Sequence, residues 1–233
     1  MDVFVLAGGL GTRLKGVVSD VPKPMAPVNG HPFLEYVLED ICKLDCIKNI
    51  IIGVGFKKEK ITDYFGDSFK GVPIKYAFES EPLGTGGAIL NSVPLWSGED
   101  IIVFNGDTLF KVDLNDFLAF AYKQKTDIAI ALKPMRDFDR YGTVSIDESQ
   151  NVISFNEKMY CQEGLINGGI YYIKKEVFSK LDLYKNYKFS FEKEVFEKTK
   201  QNIKIVAKEY DDYFIDIGIP SDYNKANMEL KSE

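Results

Sequence analysis

The feature that most restricts the fold of this chain is an alternation of short apolar runs with segments of helical periodicity. The apolar runs predict strands buried on both faces of a sheet, at residues 3–7, 49–54, 74–78, 101–104 and 127–132. The segments between them have helical spacing, at residues 32–44, 58–65, 85–91 and 114–122. We therefore predict an α/β fold with a Rossmann-like central sheet, mostly parallel or mixed and flanked by helices. Such sheets bind ligands beyond the carboxyl ends of their strands.

The second half of the chain is richer in strands. A hairpin is predicted at residues 142–146 and 152–155, with further strands at residues 170–173 and 203–206. Helices are predicted at residues 176–181, 191–198 and 221–230. Because no repeat, low-complexity tract or linker divides the sequence, we expect one domain over residues 1–233, with a smaller β-rich portion in its second half.

Composition and charge exclude several classes of partner and of chemistry. The chain of 233 residues has a net charge of −6, which argues against nucleic acid as a partner. No apolar run reaches the roughly 18 residues of a membrane span, and the first residues lack the basic region of an export signal. The cysteines are odd in number, at positions 42, 46 and 161, so we expect reduced thiols and a cytoplasmic location. The single histidine, His31, argues against most imidazole-based catalysis.

A glycine-rich loop follows the first predicted strand, and residues 6–14 read Leu-Ala-Gly-Gly-Leu-Gly-Thr-Arg-Leu. Glycines let backbone N–H groups approach phosphate oxygens without interference from Cβ atoms. The spacing is not that of the dinucleotide-binding fingerprint, which needs glycine where Leu14 stands. It is not that of the P-loop either, because Val17 rather than lysine follows Gly16. The glycines alone are equally consistent with a simple tight turn.

Two cations favour the phosphate interpretation. Arg13 lies within the loop, and Lys23 is held between Pro22 and Pro24, whose fixed φ angles restrain the backbone. An acidic protein needs local positive charge to bind a polyphosphate. The loop and the two cations together therefore predict a polyphosphate site.

The motifs occur in the order found in one enzyme family. The glycine-rich loop, with Pro-Lys-Pro-Met at residues 22–25, resembles the opening of the sugar-1-phosphate nucleotidyltransferases. The resemblance spans nearly the whole chain, through residues 79–88, 104–107, 155–158, 167–169 and 216–218. Within that family, residues 19–28, Ser-Asp-Val-Pro-Lys-Pro-Met-Ala-Pro-Val, resemble the D-glycero-D-manno-heptose 1-phosphate guanylyltransferases.

The resemblance implies a reaction. Enzymes of this family join a sugar 1-phosphate to a nucleoside triphosphate and release pyrophosphate. For this chain it implies transfer of GMP from GTP to D-glycero-D-manno-heptose 1-phosphate, which yields a nucleotide sugar for surface polysaccharide biosynthesis. The attacking phosphate oxygen is already ionised at neutral pH, so no general base is required. The barrier is repulsion between two anions, which cations and positioning relieve.

The resemblance also implies roles for individual residues. Arg13 and Lys23 become the catalytic cations, and Asp107 and Asp216 become ligands of Mg²⁺, an ion that suits carboxylate and phosphate oxygens. The residues implied for nucleotide binding are Leu6, Ala7, Gly8, Gly9, Gly11, Thr12, Arg13, Lys23, Glu79, Pro82, Leu83, Gly84, Thr85 and Gly106. Those implied for the sugar phosphate are Gly142, Glu157, Lys158, Asn167 and Gly168. We accordingly expect residues 1–135 to bind mainly the nucleotide and residues 136–233 mainly the sugar phosphate.

Glu79 bears on the choice of base. Guanine presents adjacent N–H donors that one carboxylate accepts together, whereas uracil and thymine would set carbonyl oxygens against it. Glu79 precedes the loop of residues 82–85, where the family places the base. GTP is therefore favoured over UTP and dTTP. A Glu79 that merely ends a strand in solvent is the alternative.

Other functions remain open from the sequence. Mannose 1-phosphate shares the ring hydroxyl pattern of the heptose, and other sugar-1-phosphate nucleotidyltransferases use UTP or dTTP. A glycosyltransferase would use an Asp-x-Asp motif, but Asp-Phe-Asp at residues 137–139 is expected in a loop away from the glycines. The presence of every implied cation and aspartate argues against a non-catalytic, ligand-sensing relative. A homodimer formed through the second half is compatible with the sequence.

Overall fold

The computed structural model describes residues 1–9, 20–156, 158–181, 188–196 and 203–231. Its strands are β1 (Asp2–Leu6), β2 (Pro27–Val28), β3 (His31–Pro32), β4 (Asn49–Val54), β5 (Ser68–Phe69), β6 (Val72–Phe78), β7 (Asp100–Asn105), β8 (Thr108–Phe110), β9 (Ile128–Phe138), β10 (Val144–Ile146), β11 (Val152–Phe155), β12 (Cys161–Lys174), β13 (Ile205–Glu209) and β14 (Phe214–Asp216). Its α-helices are α1 (Phe33–Ile41), α2 (Glu59–Phe65), α3 (Gly84–Ser92), α4 (Leu114–Gln124), α5 (Glu176–Lys180) and α6 (Pro220–Glu229). Shorter helical turns are Lys23–Met25, Val93–Leu95 and Glu192–Phe196.

Eight of these strands form one sheet, in the order β13-β9-β12-β7-β1-β4-β6-β5. β1 is parallel to β4 and β7, and β4 is parallel to β6. β12 runs antiparallel to both β7 and β9, so the sheet is mixed. The predicted α/β fold is confirmed, and the predicted hairpin is β10–β11.

The sheet has a hydrophobic cluster on each face. Val3 and Val5 of β1 enter one cluster and Phe4 enters the other, and all three side chains are fully buried. Side chains of a strand point alternately to opposite faces, so a strand covered on both faces is apolar at every position. The apolar runs predict the central strands for this reason. Among the described residues, no helix is long and apolar enough to cross a membrane.

Two strands are longer than the sequence predicts. The strands predicted at residues 127–132 and 170–173 extend to β9 and β12, because these two pair along an antiparallel ladder that continues to Cys161 opposite Phe138. Polar and partly exposed residues occupy the outer ends, so apolar patterning does not reveal them. The helix predicted at residues 191–198 is a π-helical turn in its described part, and residues 197 and 198 lie outside the described ranges.

Candidate active site

The candidate site is built where β1 and β7 end at their carboxyl edge. Leu6 and Asn105 are register partners at the ends of these parallel strands. Gly106 follows, and its N–H donates to the Leu6 carbonyl at 2.9 Å. A Cβ at position 106 would lie 2.7 Å from that oxygen, so the close turn requires glycine. The turn brings Asp107 to the edge of the sheet with its side chain 35% exposed.

The short ribbon of β8 and β14 places Asp216 beside Asp107. The two strands are antiparallel, with Asp216 opposite Thr108. The Ile217 N–H donates to the Asp107 carbonyl at 3.1 Å. Each strand has three residues, too few for a periodic signal, so the sequence does not predict the ribbon. Backbone pairing between distant segments therefore brings the two predicted metal ligands together.

Lys23 lies between these two carboxylates. Its ammonium nitrogen is 2.6 Å from Asp107 Oδ2 and 3.2 Å from Asp216 Oδ1, and its side chain is 14% exposed. Pro22 and Pro24 flank it in the turn Lys23–Met25, whose Met25 N–H donates to the Pro22 carbonyl. The prolines fix the backbone from which the lysine projects. We call Lys23, Asp107 and Asp216 the charge cluster.

The charge cluster fits a divalent metal. Its two carboxylates converge on one cationic atom, so both attract a cation placed near this point. Across the described ranges, no group of three or more His, Cys, Asp or Glu side chains is arranged to hold a metal ion. Mg²⁺ is commonly held by one or two carboxylates and completes its shell with water and substrate phosphates. The donor set therefore suits a metal that binds together with a nucleotide.

A first cavity, of about 380 Å³, opens beside the charge cluster, which contributes Lys23 and Asp107 to its lining. Gly218, whose added Cβ would lie 3.0 Å from an Asp216 oxygen, lines it as well. Most residues predicted for nucleotide binding line this cavity, namely Leu6, Gly8, Gly9, Lys23, Glu79, Pro82, Gly84 and Thr85. The structure thus brings the start of the glycine-rich loop, Glu79 and the loop of residues 82–85 around one space.

The other residues predicted for nucleotide binding have different positions. Ala7 and Leu83 are buried, with 1% and 6% of their surfaces exposed, and Gly106 forms the turn before Asp107. Three more lie outside the described residues, so their roles remain predictions: Gly11, Thr12 and Arg13.

Glu79 is a positioned acceptor rather than a side chain that ends a strand in solvent. Its Oε2 accepts the Leu83 N–H at 3.1 Å. Its Oε1 lies so close to Gly8 that a Cβ there would be 2.7 Å away. Burial raises the pKa of Glu79, and the hydrogen bond from Leu83 opposes the rise. A side chain at position 8 would therefore have to displace this carboxylate.

A second cavity, of about 510 Å³, is lined by Tyr141, Gly142, Phe155, Asn156, Lys158, Asn167, Ser190, Glu192 and Lys193. Three residues predicted for the sugar phosphate line it: Gly142, Lys158 and Asn167. Gly168 does not, and a Cβ there would lie 2.3 Å from the Phe110 ring, so packing between β12 and β8 requires this glycine. Glu157 lies outside the described residues. The sugar-binding roles of Gly168 and Glu157 remain predictions.

Tyr141 joins the second cavity to the charge cluster. It lines the cavity, and its hydroxyl donates to Asp216 Oδ2 at 3.4 Å. The Arg140 guanidinium lies 5.3 Å from the centre of its ring and pairs with Asp222 at 2.5 Å. Burial, and next the negative charge of Asp216, raise the pKa of Tyr141 well above its ordinary value. The hydroxyl therefore stays protonated and donates to the aspartate.

Sequence reasoning misses six residues of the second cavity: Tyr141, Phe155, Asn156, Ser190, Glu192 and Lys193. Phe155 and Asn156 lie within the motif of residues 155–158 but are not among the predicted site residues. Tyr141 directly precedes the predicted Gly142, which is the one signal that could have identified it. Ser190, Glu192 and Lys193 lie in a charged segment that is typical of a surface helix.

The Asp-x-Asp motif is expected in a loop, but its first two residues, Asp137 and Phe138, are the last residues of β9 and belong to the ladder with β12. The residues of the motif line neither cavity.

The chain is similar to known proteins over nearly its whole length. The family model described as nucleotidyl transferase matches residues 3–233. The D-glycero-alpha-D-manno-heptose 1-phosphate guanylyltransferase of Campylobacter jejuni is 49% identical over 223 residues, which are 96% of this chain and 97% of that protein. The protein of the same name from Aneurinibacillus thermoaerophilus is 46% identical over 231 residues, 99% of each chain. The crystal structure of HddC from Yersinia pseudotuberculosis complexed with GMP-PN superposes with a TM-score of 0.85, at 37% identity and 99% coverage of both chains.

Proposed function

Because the chain belongs to the nucleotidyl transferase family, we propose that it transfers GMP from GTP to D-glycero-D-manno-heptose 1-phosphate, with release of pyrophosphate. The observation that carries the proposal is that two separate cavities reach one charge cluster, the first through Lys23 and Asp107 and the second through Tyr141. The two similar proteins named heptose 1-phosphate guanylyltransferase support the substrates, as does the GMP-PN complex of HddC.

The residues of the charge cluster account for the reaction without a general base. An ionised oxygen of the sugar phosphate attacks the α-phosphorus of GTP, forms the new P–O bond and expels pyrophosphate. Lys23 neutralises the reacting phosphates, and Arg13 is assigned to the departing β- and γ-phosphates. A Mg²⁺ ion held by Asp107 and Asp216 would supply further positive charge at these oxygens. Tyr141 holds one oxygen of Asp216, which leaves the other directed toward Lys23.

Glu79 is proposed to select guanine. Its carboxylate lines the first cavity next to the glycine-rich loop, and its Oε2 is already oriented by the Leu83 N–H. An ionised carboxylate accepts the adjacent N–H donors of guanine and repels the carbonyl oxygens of uracil and thymine. The partial burial of Glu79 strengthens both effects because water screens the charge less.

The second cavity is proposed to bind the sugar phosphate. Lys158 provides positive charge for the phosphate, and Asn167 and the open backbone at Gly142 provide hydrogen bonds for hydroxyls. Every residue that lines this cavity belongs to residues 136–233, and every residue that lines the first except Gly218 belongs to residues 1–135. This separation supports the proposed division of the two substrates between the halves of one domain.

Location and assembly are also proposals. The three cysteines are free, which suits the reducing cytoplasm where GTP is available. A homodimer through the second half is supported by the exposed apolar side chains of Ile153, Met159 and Tyr160, each more than 60% exposed. Light scattering of the purified protein tests the dimer, and a monomer at micromolar concentration would contradict it.

A coupled pyrophosphate assay tests the proposed function. Purified protein with MgCl₂ is supplied with GTP, UTP or dTTP and, in turn, with D-glycero-D-manno-heptose 1-phosphate, mannose 1-phosphate or glucose 1-phosphate. The largest kcat/KM is expected for GTP with the heptose 1-phosphate. A higher kcat/KM with mannose 1-phosphate would show that the sugar substrate is wrongly assigned. A higher kcat/KM with UTP would contradict the proposed selection of guanine by Glu79. If no pair of substrates released pyrophosphate, the proposed function would be contradicted.

A further inference from the structure

Glu192 lies between the two cavities. It lines the second cavity, while its carboxylate contacts Thr85, which lines the first. Its Oε2 accepts the hydroxyls of Thr85 and Ser190, each at 2.7 Å. Its Oε1 accepts the Tyr171 hydroxyl at 3.2 Å. One carboxylate therefore connects the first turn of α3 at the first cavity with β12, which contributes Asn167 to the second.

The connection continues from Tyr171 to the predicted sugar ligand Asn167. Tyr171 is 1% exposed, and burial, with the charge of Glu192, raises its pKa well above the ordinary value, so its hydroxyl keeps its proton. A carboxylate only accepts, so that proton is donated to Glu192 and the tyrosine oxygen is left to accept the Asn167 amide N–H at 2.7 Å. The Asn167 carbonyl oxygen accepts the Gly169 N–H at 3.0 Å. The charge of Glu192 thus fixes the orientation of the Asn167 amide.

Residues 189–191, which directly precede Glu192, also hold residues 83–86 at the first cavity. The Phe189 N–H donates to the Leu83 carbonyl at 3.0 Å, and the Phe189 carbonyl accepts the Gly86 N–H at 3.1 Å. The Phe191 N–H donates to the Thr85 hydroxyl oxygen at 2.9 Å, so the Thr85 proton is free to be donated to Glu192. The hydroxyls of Thr85, Ser190 and Tyr171 all donate to Glu192, because a carboxylate only accepts.

We propose that Glu192 is a positioning residue that couples the two substrate sites, by holding Thr85 for the nucleotide and, through Tyr171, Asn167 for the sugar phosphate. The inference rests on the proposed function. It adds that neither site is set independently: a change at Glu192 affects the binding of both substrates, whereas a change at Thr85 or Tyr171 affects mainly one.

Three variants separate these effects in steady-state kinetics. Tyr171→Phe keeps the buried ring and is expected to raise the KM for sugar phosphate about tenfold, the effect of losing one hydrogen bond to a charged group, with little change for GTP. Thr85→Val is expected to raise the KM for GTP to a similar extent, and Glu192→Gln to raise both. Tyr172→Phe is the matched control, because Tyr172 is equally buried on the same strand but donates to Asp100 and lines neither cavity.

Unchanged KM values in Tyr171→Phe, or an equal shift in Tyr172→Phe, would overturn the inference. A second measurement needs no substrate. The effects of Thr85→Val and Tyr171→Phe on the free energy of unfolding in urea are expected to be non-additive in the double variant, because both hydroxyls donate to Glu192. Strict additivity would overturn the coupling even if the enzyme transfers GMP. Non-additivity in a protein that releases no pyrophosphate would retain the coupling and reject only the proposed function.

Discussion

The two cavities differ in how the chain builds them. The first is formed at the ends of β1 and β7 by short segments whose motifs are visible in the sequence, including backbone at Gly8 and Gly9. The second, larger by volume, lies within residues 141–193 and is formed mainly by side chains, such as those of Tyr141, Asn167 and Glu192. Backbone N–H groups at strand ends suit phosphates, which all triphosphates share. Recognition of a particular sugar requires specific side chains.

The charge cluster lines the first cavity through Lys23 and Asp107 and contacts the second through Tyr141, so changes there have the largest expected effect. Lys23→Ala is expected to lower kcat about 10²–10³-fold, the usual result of deleting a preorganised charge-stabilising donor. Lys43→Ala is the control, since Lys43 is 60% exposed, pairs with Asp40 and lines neither cavity. A kcat for Lys23→Ala near that of the wild type would show that the reaction does not take place at this cluster.

Base selection tests whether the first cavity recognises more than phosphate. Glu79→Gln is expected to lower the ratio of kcat/KM for GTP over UTP by about 10–100-fold, because hydrogen bonds to a charged group are worth roughly 1.5–3 kcal/mol. Glu81→Gln, at an exposed position two residues later, is the matched control. An unaltered ratio in Glu79→Gln would mean that the first cavity recognises only the phosphates and ribose of the nucleotide.

Sugar phosphate binding tests the second cavity by itself. Lys158→Ala is expected to raise the KM for the heptose 1-phosphate by about tenfold, since the side chain is exposed and its charge is partly screened. The KM for GTP should stay at the wild-type value. An equal rise for both substrates would mean that the two cavities are not separate binding sites.

The pH dependence gives the smallest effect. Burial raises the pKa of Glu79, so lowering the pH toward that pKa removes the acceptor and the KM for GTP is expected to rise. The effect on the free energy of unfolding has the opposite sign, because it favours low pH. The contribution of Glu79 to stability is fully present below the ordinary pKa of glutamate and is lost as the pH rises through the raised pKa. Profiles of KM against pH for wild type and Glu79→Gln test this. Parallel profiles would assign the titration to another group.

Local patterns in the sequence predict the surroundings of the first cavity better than those of the second. Buried β1 and β4 appear as apolar runs, and the prolines beside Lys23 by themselves indicate a cation on a restrained backbone. The meeting of Asp107 with Asp216 depends on a ribbon of three-residue strands, which is too short to leave a period. Glu192 lies in a charged segment, and only tertiary contacts with Thr85 and Tyr171 distinguish it from a surface residue.

A crystal structure with Mn²⁺ and a non-hydrolysable GTP analogue tests the central claim most directly. The expected result is anomalous density between Asp107 and Asp216, with the phosphates beside Lys23 and the guanine edge facing Glu79. Nucleotide bound outside the first cavity, or manganese bound away from both aspartates, would contradict the account.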